Sequence, residues 1–139
     1  GQFKGKLRWR MEDRDTIVAE LAGIQKASAE CLAAEHSVIW LGFSNGGYLL
    51  TKAAQYCLLK KNPLIIASGS AGSAMPGESA NMRECGRIRL VIGEGDLARR
   101  KAGRYRSELK KRGADVELIE FKGRHELHEK TLQRILEAG

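Results

Sequence analysis

Two prolines and three cysteines are all that the 139 residues contain of either type. So little proline, against 16 glycines gathered at the ends of apolar runs, argues for a tightly turned fold and against a linker-rich chain. The cysteines Cys31, Cys57 and Cys85 are odd in number and lack C-x-x-C spacing, which argues against a disulfide framework or a zinc site. Cys31 and Cys57 fall in apolar stretches of expected helices and read as small buried hydrophobes, and reduced thiols fit a cytoplasmic protein. The sequence has no apolar run of membrane-spanning length and no signal peptide. It starts with Gly1 rather than Met, as a processed or fragment end does.

Charge of one sign is in excess, since 24 Lys and Arg against 17 Asp and Glu leave a formal net charge of +7. Such a balance raises a nucleic-acid or acidic-membrane reading. The cations are dispersed, however, and the densest stretch, Arg99 to Arg112, reads as one solvated helix. No basic motif with stacking aromatics accompanies it, so no nucleic-acid partner is expected. Hydrophobic residues at 42% and charged residues at 29% are ordinary for a globular chain, and the length fits a single domain over 1–139.

Short apolar runs alternate with longer amphipathic stretches. Phe3 to Arg10 alternates apolar and basic residues, as a half-exposed strand does. Asp13 or Asp15 caps a helix expected to reach about Ala34, with Ile17, Val18, Leu21, Ile24, Ala27 and Cys31 at helical spacing. Ser37 to Phe43 is short, continuous and rich in β-branched residues, as a buried parallel strand is. A helix is expected from Asn45 to about Lys60, a second buried strand at Pro63–Ser68, and a Gly/Ser-rich loop from Gly69 to about Ala80. Ile88–Gly93 reads as a third buried strand, and Leu97 to Arg112 as a helix stopped by Gly113. Asp115–Phe121 is an alternating strand, and Glu126–Ala138 a closing helix. This order predicts an α/β fold: a doubly wound, mostly parallel sheet of about five strands with helices on both faces. Function in such sheets gathers at the carboxyl ends of the strands.

Three of those ends carry reactive side chains. Gly42-Phe43-Ser44-Asn45-Gly46 is a G-x-S-x-G sequence between a strand and a helix. The turn is sharp enough to strain the serine backbone and to leave no room for side chains two residues either way, hence Gly42 and Gly46. It would raise the Ser44 hydroxyl clear of the sheet, with the Asn45 N–H placed as an oxyanion donor. The competing reading is a plain helix N-cap, with Ser44 bonding helix amides. After the third strand, Asp96 could orient a histidine or merely cap the next helix; Glu94 is a rival acid. After the last strand, His125 stands on a loop. His36 precedes a strand at the opposite edge and reads as structural. His128, one turn beyond His125, lacks the further ligands a metal would need, so no metal or other cofactor is expected.

The chain order Ser44, Asp96, His125 is that of the α/β-hydrolases. The sequence resembles that superfamily, in particular its carboxylesterase and dienelactone-hydrolase-like branches, over nearly its whole length. The likeness rests on Gly42-Phe43-Ser44-Asn45-Gly46-Gly47-Tyr48, on Val91-Ile92-Gly93-Glu94-Gly95-Asp96, and on Tyr105 to Leu127 with its Gly123-Arg124-His125 turn; the Trp9 region is similar to the segment before the helix preceding the nucleophile. The resemblance implies a serine esterase with Ser44 as nucleophile, His125 as base and Asp96 as acid, acting on a small-molecule ester or thioester. It also implies missing parts, since the family has about eight strands and a second oxyanion N–H from an H-G-G-type loop that has no counterpart here. Two expectations stand beside one another: a hydrolase, or a catalytically weak remnant that serves as a binding or assembly module. In either case a bare sheet edge invites pairing with a second copy of the chain.

Overall fold

The computed structural model describes residues 13–31, 38–60, 62–69 and 81–138. The expected strand at Phe3–Arg10, the Trp9 segment, His36 and most of the Gly69–Ala80 loop lie outside the described residues. Helix α1 (Arg14–Ser28) continues into a 3-10 turn (Ala29–Cys31), followed by β1 (Trp40–Phe43), α2 (Asn45–Gln55), β2 (Leu64–Ala67), β3 (Ile88–Gly93), α3 (Arg99–Lys111), β4 (Val116–Phe121) and α4 (Glu129–Ala138).

The four strands form one sheet in chain order, β1-β2-β3-β4, and every neighbouring pair is parallel. Parallel neighbours need crossovers, and α2 and α3 supply those between β1 and β2 and between β3 and β4. The register aligns the strand ends: Phe43 lies beside Ala67, Ala67 beside Val91, and Gly93 beside Phe121. The next residues extend the ladder through Ser44 N–H to Ala67 O, Ser68 N–H to Val91 O and Glu94 N–H to Phe121 O, all at 2.8–2.9 Å. All four carboxyl ends therefore open at one rim.

Strand alternation divides the core in two. Leu64, Ile66, Ile88, Leu90 and Val116 point to one face, where Ile17 and Leu21 of α1, Leu49 and Ala53 of α2, and Tyr105 and Leu109 of α3 cover them. Ile65, Ala67, Val91 and Phe121 point to the other, where Leu132 and Ile135 of α4 pack. Helices on both faces make this the doubly wound architecture that the alternation of elements implied. Between α3 and α2 the buried Tyr105 hydroxyl donates to Thr51 O at 2.8 Å. Burial pushes this phenol well above its ordinary range, with the Arg112 guanidinium opposing the effect.

Several boundaries differ from the sequence pattern. Asp13 caps α1 through a reciprocal capping box with Thr16, but the α-helix ends at Ser28, and Val18 and Cys31 are exposed rather than part of the core. Helix α2 ends at Gln55, before the expected Lys60. Cys57 takes a left-handed conformation (φ 52°) while Cys57 N–H bonds Ala54 O and Leu58 N–H bonds Ala53 O. That is a Schellman stop built without glycine, which is why no glycine announced it. The expectation of unpaired buried thiols is corrected at the same place, because Cys57 is disulfide-bonded to Cys85, 28 residues on, and only Cys31 is free among the described cysteines. A pairing between a helix end and the loop before β3 has no local spacing signature. The expected buried strand ending at Phe43 is also corrected. Among the described residues β1 is an edge, and Ile39, Leu41 and Phe43 stand exposed on one side of it.

Candidate active site

Ser44 links β1 to α2 with φ 53° and ψ −110°, a left-handed conformation that a β-carbon resists. The turn is held by close backbone contact. A β-carbon on Gly42 would come within 2.4 Å of Gly46 O, and one on Gly47 within 2.9 Å of Gly69 Cα. Gly42 therefore lies directly against the backbone of Gly46. The rival of the G-x-S-x-G reading, a plain N-cap, fails on one observation: the Ser44 side chain makes no capping bond to α2. Its Oγ lies instead 2.9 Å from His125 Nε2.

Asp96 does not cap α3, whose N-cap is Ala98 with no side-chain capping bond. Oδ1 accepts from Ala98 N–H at 2.9 Å, closing the turn ahead of α3, and Oδ2 lies 2.9 Å from His125 Nδ1. A carboxylate has no proton to give, so Nδ1 carries the hydrogen and donates to Asp96, leaving Nε2 to accept from the Ser44 hydroxyl. The Asp96 side chain is 4% exposed and that of His125 is 52% exposed, so the acid is sheltered while the imidazole faces the solvent side. Phe43 lies beside the imidazole, with ring centroids 5.5 Å apart. Asn45 opens α2, so its N–H has no carbonyl a turn earlier to bond and points a free donor at the helix N-terminus.

The structure thus brings Ser44, Asp96 and His125 together from three strand ends, across 81 and 29 residues of sequence. Glu94 stays exposed and makes no bond to His125. His128 stands just before α4, with Nδ1 2.8 Å from Thr131 Oγ1 and its ring stacked on Phe121 at 4.5 Å, which is a structural place. No cluster of three or more metal-ligating side chains occurs among the described residues. Nor is any described helix long and apolar enough to cross a membrane.

Sequence reasoning missed Ser68. It is buried at the end of β2 with φ 50°, and its Oγ donates to Glu126 O at 3.3 Å, tying the His125 loop to the sheet. Its only signal was its place directly after an apolar run. An open cleft of about 1020 Å³ lies over the site, with Tyr48, Leu97, Lys101 and Arg124 around Ser44 and His125.

This geometry can be set beside known proteins. No family model matches the sequence, and no curated protein matches it. Solved structures do. A carboxylesterase from Mesorhizobium loti superposes with a TM-score of 0.70 at 18% identity, covering 99% of this chain and 71% of its own. The chain has an α/β-hydrolase-like fold. An acyl-protein thioesterase 2 from Zea mays shares this α/β-hydrolase-like fold at TM-score 0.65 and 16% identity, over 89% of this chain and 63% of its own. So does a protein of unknown function from Agrobacterium tumefaciens, at TM-score 0.64 and 22% identity, over 87% and 58%. The present chain spans about three-fifths of the length of several of these structures.

Proposed function

We propose that this chain is a serine hydrolase that cleaves a carboxylic ester or thioester through an acyl-enzyme on Ser44. The observation that carries the reading is the strained Ser44, whose hydroxyl turns away from its helix to His125 Nε2 at 2.9 Å, with His125 held in turn by Asp96. A hydroxyl serving only the fold would accept from one of the unpaired amides at its own helix end. The esterase and thioesterase neighbours support the same chemistry at the level of the fold.

In this mechanism the Ser44 oxygen attacks the carbonyl carbon as its proton passes to His125 Nε2. Asp96 stabilises the imidazolium through Nδ1–H and keeps the tautomer that accepts the proton. The carbonyl oxygen becomes an oxyanion, and the Asn45 N–H donates to it at the positive end of α2. Collapse breaks the bond to the leaving oxygen or sulfur, which takes the proton from Nε2. Water then attacks the acyl carbon and gives a proton to Nε2. The second collapse releases the carboxylic acid and returns that proton to the Ser44 oxygen. Each step uses groups of this chain and water.

A fluorophosphonate probe tests the reading directly. Intact mass should show one adduct on the wild type and none on Ser44→Ala. A folded wild type that takes no adduct overturns the hydrolase reading and leaves a hydrolase-like remnant acting as a binding or assembly module.

A further inference from the structure

Among the described residues, the lining of the cleft over Ser44 is electrostatically one-sided. Lys101 and Arg124 both line it, and the only carboxylate among its described lining residues is Asp96. That carboxylate is already engaged, with one oxygen on Ala98 N–H and the other on His125. Lys52 adds a third cation at the periphery, 5.4 Å from the ring centre of Tyr48, which also lines the cleft.

These cations differ from the ion-paired Arg99 and Arg87. Arg99 is paired with Glu120 at 2.7 Å, and Arg87 with Glu117 at 3.3 Å and Asp115 at 3.7 Å. The Lys101 ammonium and the Arg124 guanidinium have no ion pair among the described residues, while the Glu126 carboxylate accepts from Arg124 N–H at 3.5 Å. The helix does not account for Lys101 either. The first turn of α3 contains no acid and opens with Arg99, Arg100 and Lys101, where the helix dipole disfavours cations. Local electrostatics alone would put Asp or Glu there. An arrangement that opposes the local preference at the mouth of a reactive cleft points to a ligand that offsets it.

We infer that the site takes an anionic substrate: an ester or thioester bearing a carboxylate or phosphate group, which Lys101 and Arg124 hold while Ser44 meets the carbonyl. The substrate's uncharged part has Tyr48 and the fully exposed Leu97 to lie against. This inference rests on the hydrolase reading for the bond that is cleaved, but the anion preference itself is a property of the cleft. Because Lys101 and Arg124 are exposed, their effect is screened by salt and acts on encounter as well as on binding.

The experiment compares mono-4-nitrophenyl succinate, an anion, with the neutral 4-nitrophenyl butyrate of similar size. The expected ratio of kcat/KM favours the succinate by roughly tenfold at low ionic strength and shrinks towards one in about 0.5 M salt. In Lys101→Gln/Arg124→Gln the ratio falls by roughly fivefold or more, and Lys101→Arg/Arg124→Lys restores it. A ratio near one in the wild type, or one that ignores both salt and the substitutions, overturns the inference.

A second arm does not depend on turnover. Calorimetry on Ser44→Ala compares succinanilic acid with butyranilide, two amides that differ in the same charge. Tighter binding of the acid, lost in the background of the glutamine variants, supports the cleft's preference even if Ser44 takes no fluorophosphonate. Equal binding of both amides, with Ser44 labelled normally, overturns the anion inference and leaves the hydrolase reading intact.

Discussion

Replacing Asp96 by Asn separates the two tasks of that residue. The amide oxygen of Asn can still accept from Ala98 N–H, the bond Oδ1 makes at 2.9 Å, so the turn into α3 persists. An amide turned the other way would set two donors face to face at Ala98, so the orientation is decided. The NH2 group then faces His125 Nδ1, where Oδ2 now accepts at 2.9 Å. To accept from it, Nδ1 must lose its hydrogen, which moves the ring proton to Nε2. A protonated Nε2 cannot take the Ser44 proton. Loss of the correct tautomer in a serine triad costs about 10⁴ in turnover, equivalent to about 5.5 kcal/mol of transition-state stabilisation. The cost in stability should be far smaller. The lost hydrogen bond to the carboxylate involves an imidazole whose side chain is 52% exposed, so about 1 kcal/mol or less is expected after solvent screening. The assay is the rate of fluorophosphonate labelling by intact mass, beside urea unfolding of the same samples. Labelling should fall by at least about 100-fold, with the urea midpoint nearly unmoved, whereas Asp96→Ala should lose both labelling and stability. Labelling of Asp96→Asn within tenfold of the wild type would refute the proposed role of Asp96.

Gly42→Ala puts a methyl 2.4 Å from the backbone oxygen of Gly46, which has no flexible end to yield, so about 3 kcal/mol of stability should be lost in urea unfolding. An unchanged midpoint would show that the turn does not need the glycine. Tyr105→Phe removes the hydroxyl's hydrogen bond to Thr51 O and should cost about 1 kcal/mol near neutrality. Because burial raises the phenol, the unfolded state releases its proton first; that contribution is complete below about pH 10 and declines above it by about 1.4 kcal/mol per pH unit. The variant should therefore have a flatter alkaline limb of stability against pH, and equal limbs would refute this. Thiol titration of the unfolded, unreduced protein should find Cys31 alone free, and reduction of Cys57–Cys85, which spans 28 residues, should cost up to about 3.5 kcal/mol on chain entropy. Three free thiols would contradict the bond.

Much of the fold was written in local pattern. Continuous apolar runs at Leu64–Ala67 and Ile88–Gly93, separated by amphipathic stretches, predict a parallel sheet because only strands buried on both faces need such runs. Gly42 to Gly47 was legible for a similar reason: a turn with no room for β-carbons demands glycine at fixed spacing. What failed were features whose cause lies elsewhere in the chain. The end of α2 was misplaced because Cys57, not a glycine, adopts the left-handed stop and is bonded to Cys85. Exposure of Leu41 and Phe43 could not be read either, since an edge strand and a central strand share the same composition.

The sequence by itself determined the candidates Ser44, Asp96 and His125, because each follows an apolar run and strand ends are where a sheet leaves side chains free. It could not decide what each one does. An Asp before a helix is equally a cap, and a Ser before a helix equally an N-cap, because both serve unpaired amides next door. Only the tertiary structure shows which partners their side chains bond. The parallel register draws three distant strand ends to one rim, where the Ser44 hydroxyl turns to His125 instead of its helix, and Asp96 divides its two oxygens between Ala98 and His125. Partner choice at 81 residues' separation is a matter of packing, which no spacing along the chain encodes.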